Sequence, residues 1–205
     1  MIHKALLVVD VQNDFCPGGA LAVRNGGLVI EPLNRMIRFF EEKKGIIFFS
    51  RDYHPHITKH FKEFGGIWPS HCIRTTWGAE FHPNLYVPKT GYVISKGMSY
   101  EDDGYSPFEG IYLRNNDWPL SLQVLLPWET ELYIGGLATD YCVKAACLDA
   151  MKLVNNSWIK NVYLLTDACR AVNLKPGDEA LALSEMANAG VTFITTDEVI
   201  NTQSS

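Results

Sequence analysis

Short β-rich apolar runs alternate along this chain with longer segments of helical period. The runs Ala5–Val9, Ile46–Ser50, Tyr92–Ser95, Leu132–Gly135, Val162–Leu165 and Val191–Ile194 read as strands. Between the first two, Val29, Leu33, Met36, Ile37 and Phe40 form an i, i+4, i+7, i+8, i+11 stripe, the mark of an amphipathic helix. Gly45 stands where a helix is commonly closed by a glycine. A second helix is expected after Asp117, with Leu122, Leu125 and Leu126 inward and Pro127 as its stop. A third runs from about Thr139 to Val154 with Val143, Ala146, Ala150 and Val154 on one face. The last begins near Pro176, carries Leu181, Leu183, Met186 and Ala187, and ends at Gly190.

Strands that are continuously apolar must be covered on both faces, and their alternation with helices makes the sheet mostly parallel. The expected architecture is therefore a single-domain, three-layer α/β/α fold on a sheet of about six strands. One stretch breaks the rhythm. From about residue 52 to 88 the chain is rich in His, Pro, Gly and Trp and has little periodicity. A structureless segment of that length inside a compact domain is usually functional.

Composition narrows the field. At 205 residues and 47% hydrophobic, the chain can bury one sizeable core. A net charge of −5 with no basic run excludes a phosphate-backbone binder, so no nucleic-acid partner is expected. No apolar run approaches the roughly 20 residues of a membrane span, and the start lacks a signal-peptide pattern. Five cysteines without a C-x-x-C pair suit free thiols in a reducing compartment, which points to the cytoplasm. A homo-oligomer is compatible with all of this. The residues from Asn201 to Ser205 read as a short polar tail.

In open α/β sheets, ligands bind beyond the carboxyl ends of the strands. There the first strand offers Asp10, the second Asp52 and His54, the third Lys96, and the fourth leads through two glycines to Cys142. Thr139 and Asp140 are candidate N-caps, which places Cys142 in a first helical turn, where backbone N–H groups and the helix dipole favour a thiolate. Position alone leaves both a nucleophile and a core-filling thiol open. Asp10 as proton acceptor and Lys96 as a supporting cation, at adjacent strand ends, shift the balance toward a nucleophile for amide hydrolysis. Asp52, His54, His60 and His71 are the donor types a divalent ion such as Zn²⁺, Fe²⁺ or Mn²⁺ takes. Five of the six histidines lie between His54 and His82, which favours a metal over scattered surface residues. His56, Cys72 and His82 are substitutes close by in sequence.

These residues fall in stretches that resemble the nicotinamidases, members of the isochorismatase-like cysteine hydrolases. They are Val9–Phe15, Asp52-Tyr53-His54 with His60, Trp68-Pro69-Ser70-His71-Cys72, Gly78–Pro83, Lys96-Gly97 and Gly136–Val143. The resemblance spans nearly the whole chain. The triad pieces mark the superfamily; the Asp/His/His set with W-P-x-H-C is the more specific part. It implies a catalytic triad of Asp10, Lys96 and Cys142, a cis peptide at Leu137-Ala138, and an oxyanion hole from the Ala138 and Cys142 N–H groups. It further implies a metal, zinc before iron or manganese, on Asp52, His54, His71 and His60. Phe15 and Trp68 would sandwich a pyridine ring and Tyr105 would close one side. The activity implied is hydrolysis of nicotinamide to nicotinate and ammonia through a Cys142 thioester, a step of NAD salvage, with pyrazinamide as an analogue. The match is looser between Ser99 and Trp128, where Glu101-Asp102-Asp103 and Asn115–Trp118 stand as local insertions. Three alternatives stay open: another amidohydrolase of the superfamily, a hydrolase whose nucleophile is water on the Asp/His ion, and a non-catalytic redox-sensing thiol protein.

Overall fold

A computed structural model describes residues 3–113 and 118–202. Strand β1 (His3–Val9) is followed by helix α1 (Ile30–Glu42), β2 (Ile46–Asp52), β3 (Tyr92–Lys96), and the two-residue strands β4 (Ile111–Tyr112) and β5 (Leu120–Ser121). Then come the single turn α2 (Leu122–Leu125), β6 (Thr130–Leu137), α3 (Lys144–Val154), β7 (Ile159–Arg170), α4 (Asp178–Asn188), β8 (Thr192–Ile194) and α5 (Thr196–Thr202). All strands join one sheet in the order β5-β4-β3-β2-β1-β6-β7-β8. The six expected strands are present and run parallel; β4 and β5 add an antiparallel edge, so the sheet has eight strands. Two-residue strands carry no period for a sequence to display, which is why this edge was not foreseen.

Strand β1 shows how the layers form. Leu6 and Val8 pack with Leu33, Met36, Ile37 and Phe40 of α1 and Val199 of α5. Ala5, Leu7 and Val9 turn the other way, toward Ala146, Cys147 and Ala150 of α3 and Met186 of α4. Successive side chains point to opposite faces of a sheet, so a strand that is apolar throughout needs a helix layer on each side.

Several local expectations are corrected. Gly45 is not the left-handed residue that ends α1; Lys44 is, at φ 56°. Glycine is needed at 45 because a Cβ there would stand 2.7 Å from the Phe40 ring. The helix expected after Asp117 is only the turn Leu122–Leu125, capped by the Ser121 hydroxyl, which accepts from Val124 N. Asp117 itself lies outside the described residues, as do Asn115 and Asn116. In α4 the inward residues are Ala182 and Met186, while Leu181 is 59% exposed and Ala187 is also exposed. Asn201 and Thr202 are not tail but the end of α5; residues 203–205 lie outside the described residues.

Candidate active site

Four neighbouring strands, β3, β2, β1 and β6, end at the same edge of the molecule and deliver Lys96, Asp52, Asp10 and Cys142 in that order. Asp10 and Lys96 are thus not on adjacent strands, because β2 lies between theirs. Strands are about 4.8 Å apart, so the two ends are separated by roughly 10 Å, a gap the long lysine stem crosses. The Lys96 ammonium lies 2.8 Å from Asp10 Oδ2 and 3.5 Å from Cys142 Sγ. It also donates to Asp52 Oδ1 and, at 2.6 Å, to the Gly104 carbonyl. The carboxylates of Asp10 and Asp52 and the Cys142 thiol lie within 4.8 Å of one another, a set that could hold a cation. Lys96 supplies that cation.

All four groups are buried, and burial sets their charges against one another. Desolvation raises the Asp10 carboxyl to about 6, against the pull of Lys96 and with Asp52 adding to the rise. Ser50 Oγ donates to its other oxygen at 2.7 Å. Burial opposes ionisation of Asp52 too, but Lys96, helped by the neighbouring His54 and His71, holds it well below the usual carboxylate range. Burial disfavours the Lys96 ammonium, yet Asp10, Asp52 and Cys142 keep it charged well above its ordinary value. Cys142 departs from the sequence expectation. Desolvation, with Asp10 and Asp52 nearby, pushes its thiol well up, and Lys96 only partly offsets this. A helix terminus lowers a thiol's pKa where water still reaches it; Cys142 is only 7% exposed. The resting group is a thiol, and a base is needed to make it nucleophilic.

The turn that carries Cys142 also differs from expectation. Thr139–Val143 is a wide π turn, with Val143 N bonded to Ala138 O. Neither Thr139 nor Asp140 caps it. Asp140 instead accepts from Val172 N and Asn173 N, at 2.9 and 2.8 Å, and so ties this turn to the segment after β7. The Leu137-Ala138 peptide is cis.

Facing the triad, His54, His60 and His71 bring their ring nitrogens within 4.8 Å of one another. His54 Nδ1 pairs with Gly97 O at 2.9 Å and His71 Nδ1 with Pro69 O at 2.8 Å. Their Nε2 atoms are thereby left to face Asp52 Oδ2, at 3.6 and 3.7 Å. His54 Nε2 is buried without a hydrogen-bond partner. An unpartnered buried imidazole nitrogen beside two more and a carboxylate is the donor set of a divalent metal site, each ring fixed through its other nitrogen. Burial, with His54 and His71 close by, lowers His60 to about 4, so it is a neutral donor near pH 7. Gly97 is essential here: its φ is +63°, and a Cβ would stand 2.4 Å from the His54 ring. The three substitutes do not join. His56 is exposed, His82 Nδ1 accepts from Asn84 N, and the Cys72 thiol contacts Gly78 O at 3.7 Å.

Where the two clusters adjoin lies a small, partly enclosed pocket. Phe15, Trp68, Tyr105 and Ala138 line it together with Cys142. Trp68 Nε1 donates to Tyr105 Oη at 2.9 Å, which fixes both rings. Tyr141 was missed; it packs edge-on against Trp68 and stacks with Tyr105, and its only sequence signal was its place beside Cys142. Missed too were the tethers in the stretch after β1. Gln12 Nε2 donates to Asp52 O and Ala79 O, and its Oε1 accepts from Asp52 N. Asn13 holds Trp77 O, and Asp14 accepts from Cys72 N and Ala20 N.

The isochorismatase domain model matches residues 4–198. The nicotinamidase of Escherichia coli (strain K12) is 36% identical over 222 residues, covering 99% of this chain and all of that protein. Among solved structures, the pyrazinamidase of Pyrococcus horikoshii in complex with zinc is 40% identical, with a TM-score of 0.81 over 94% of this chain and 99% of its own. PnC1 from L. infantum in complex with nicotinate is 28% identical, with a TM-score of 0.79 over 95% and 93%. The Asp10, Lys96 and Cys142 cluster, the histidine cluster joined to it through Asp52 and similarity along the full length agree: the chain belongs to the isochorismatase family, and within it to the nicotinamidases.

Proposed function

We propose that this protein is an amidohydrolase that converts nicotinamide to nicotinate and ammonia, a step of NAD salvage, with Cys142 as nucleophile. The observation that carries the proposal is an aromatic pocket lined both by Cys142, which lies against Lys96 and through it Asp10, and by Asp52, His60 and His71 of the metal-donor set.

Asp10 takes the Cys142 proton, and the thiolate, beside the Lys96 ammonium, attacks the carboxamide carbon. A carboxylate raised to about 6 is suited to this work, because its acid form can then protonate the departing ammonia. The Ala138 and Cys142 N–H groups receive the oxyanion of the tetrahedral intermediate. Loss of ammonia leaves a thioester on Cys142. Asp10 then removes a proton from water, which attacks the thioester carbon and releases nicotinate and the thiol. Phe15 and Trp68 hold the ring between them, and Tyr105 and Tyr141 complete that wall.

Asp52, His54, His60 and His71 would hold a divalent metal, and all-nitrogen-and-oxygen donation suits zinc, with iron and manganese also within range. When bound, such an ion supplies a Lewis-acid contact for the pyridine nitrogen and so fixes the ring's orientation. The alternative in which water on that ion is the nucleophile is disfavoured by the Cys142–Lys96–Asp10 arrangement, which has no task in it. The five free, buried cysteines suit a cytoplasmic setting. Purified protein should release ammonia from nicotinamide and from pyrazinamide, and iodoacetamide should abolish this by alkylating one thiol. Full activity after alkylation of Cys142 would overturn the mechanism; no ammonia from either amide would overturn the function.

A further inference from the structure

The three histidines of the cluster are oriented by unlike partners. His54 and His71 each use a backbone carbonyl, whereas His60 Nδ1 meets a carboxylate, Asp103 Oδ1, at 3.4 Å. Asp103 lies on a segment that clamps the loop bearing His60 at three further points. Tyr100 O accepts from Lys59 N at 3.0 Å and from Thr58 Oγ1 at 3.2 Å, and Glu101 pairs with Lys59 Nζ. Thr58 Oγ1 in turn accepts from His60 N.

We infer that Asp103 is a positioning residue for the metal site: it holds the His60 ring with Nδ1 protonated, so that Nε2 is presented to the ion. The inference rests on the metal reading of the cluster given above. The side chains of His54, His60 and His71 are alike in burial, at 0%, 4% and 2% exposed, so packing does not distinguish them. What sets His60 apart is the chemistry of its Nδ1 partner, a carboxylate that is itself 70% exposed, and Asp103 is the group that fixes its tautomer. A carboxylate acceptor also makes the imidazole a stronger donor than a carbonyl does, and loss of such a partner typically costs about 10–100-fold in metal affinity.

The test is zinc titration of the metal-free full-length protein against a chromophoric chelator, with imidazole ¹H–¹⁵N spectra of the same samples. Asp103→Ala should weaken zinc binding by about 10–100-fold and release His60 from the Nδ1–H tautomer. Asp103→Glu should recover most of the affinity, and Glu101→Gln, on the same strap without a contact to His60, should bind like wild type. Wild-type affinity and tautomer in Asp103→Ala would overturn the inference while leaving the metal site standing. Equal loss in Glu101→Gln would also overturn it, by assigning the effect to the strap's fold. A wild-type protein that binds no zinc would remove the metal reading itself, and this inference with it.

Discussion

Asp10 and Lys96 stand at the ends of strands and Cys142 in the turn that follows β6, while His60 and His71 stand on a segment from Tyr53 to the start of β3 that contains no strand and only two single-turn helices. The two walls of the pocket are therefore held by different means. On the triad wall, the backbone ladder fixes the strand ends: Val9 is registered with Ser50 and with Gly136, and Asp52 with Lys96. On the histidine wall the backbone pairs only in isolated bridges, His54 with Ile73 and Phe61 with Trp68, and buried polar side chains add the rest, with Gln12, Asn13 and Asp14 reaching from β1's end to backbone groups at 52, 72, 77 and 79. Asp52 belongs to both walls, since one oxygen meets Lys96 and the other faces His54 and His71. The lesson is a division of labour. The groups around the Lys96 ammonium are carried at or directly after strand ends, and the clustered imidazoles sit on a surface that side-chain tethers shape.

If that division holds, changes on the triad wall should remove chemistry and leave metal binding intact. Cys142→Ala should lower kcat by about 10⁴-fold or more, as loss of a nucleophile does, with wild-type zinc stoichiometry. Loss of the zinc together with activity would show that the two walls are not separable. Asp10→Asn should cost on the order of 10²–10⁴-fold, the usual contribution of a general acid–base group. In wild type, kcat/KM should fall about tenfold per pH unit below about pH 6, because Asp10 accepts a proton only when ionised and its carboxyl is raised to about 6. A limb that persists unchanged in Asp10→Asn would assign the titration to another group.

On the other wall, His71→Ala should act first on metal and substrate binding. Removing one of the clustered imidazoles should weaken zinc affinity by at least the roughly 10–100-fold of a lost orienting partner and raise KM for nicotinamide. The alkylation rate of Cys142 should change little. A large fall in that rate would mean that the histidine wall sets the reactivity of the thiol as well.

The sequence carries the triad wall far better than the histidine wall, and the reason is physical. Parallel strands announce themselves as apolar runs, and the rule that sites lie past their carboxyl ends then picks out Asp10, Lys96 and Cys142 without any contact being known. The order of the strands is not written in those runs, which is why Asp10 and Lys96 read as neighbours although β2 separates them. Burial is equally hidden. The first turn of a helix suggests a thiolate at Cys142, and only the packed site shows desolvation outweighing the pull of Lys96. On the histidine wall the crowding of ligands was legible, but which of six candidates converge depended on tethers between residues 40 to 67 positions apart.

Gln12 tests the tethers most directly, and its effect should be the smallest of those described. It satisfies three buried backbone groups at once, Asp52 N, Asp52 O and Ala79 O. Gln12→Ala leaves them without partners, and an unsatisfied buried polar group costs about 1–3 kcal/mol; water entering the space left by the side chain should keep the total near that range rather than three times it. The loss should appear in chemical denaturation. It should also raise KM more than it lowers kcat, because the freed segment at Asp52 leads into the histidine wall, while Asp10 keeps its bond to Ser50 O and Cys142 the turn that follows β6. A Gln12→Ala protein with normal KM and kcat reduced a hundredfold would place the tether on the triad wall instead and end the distinction between the two.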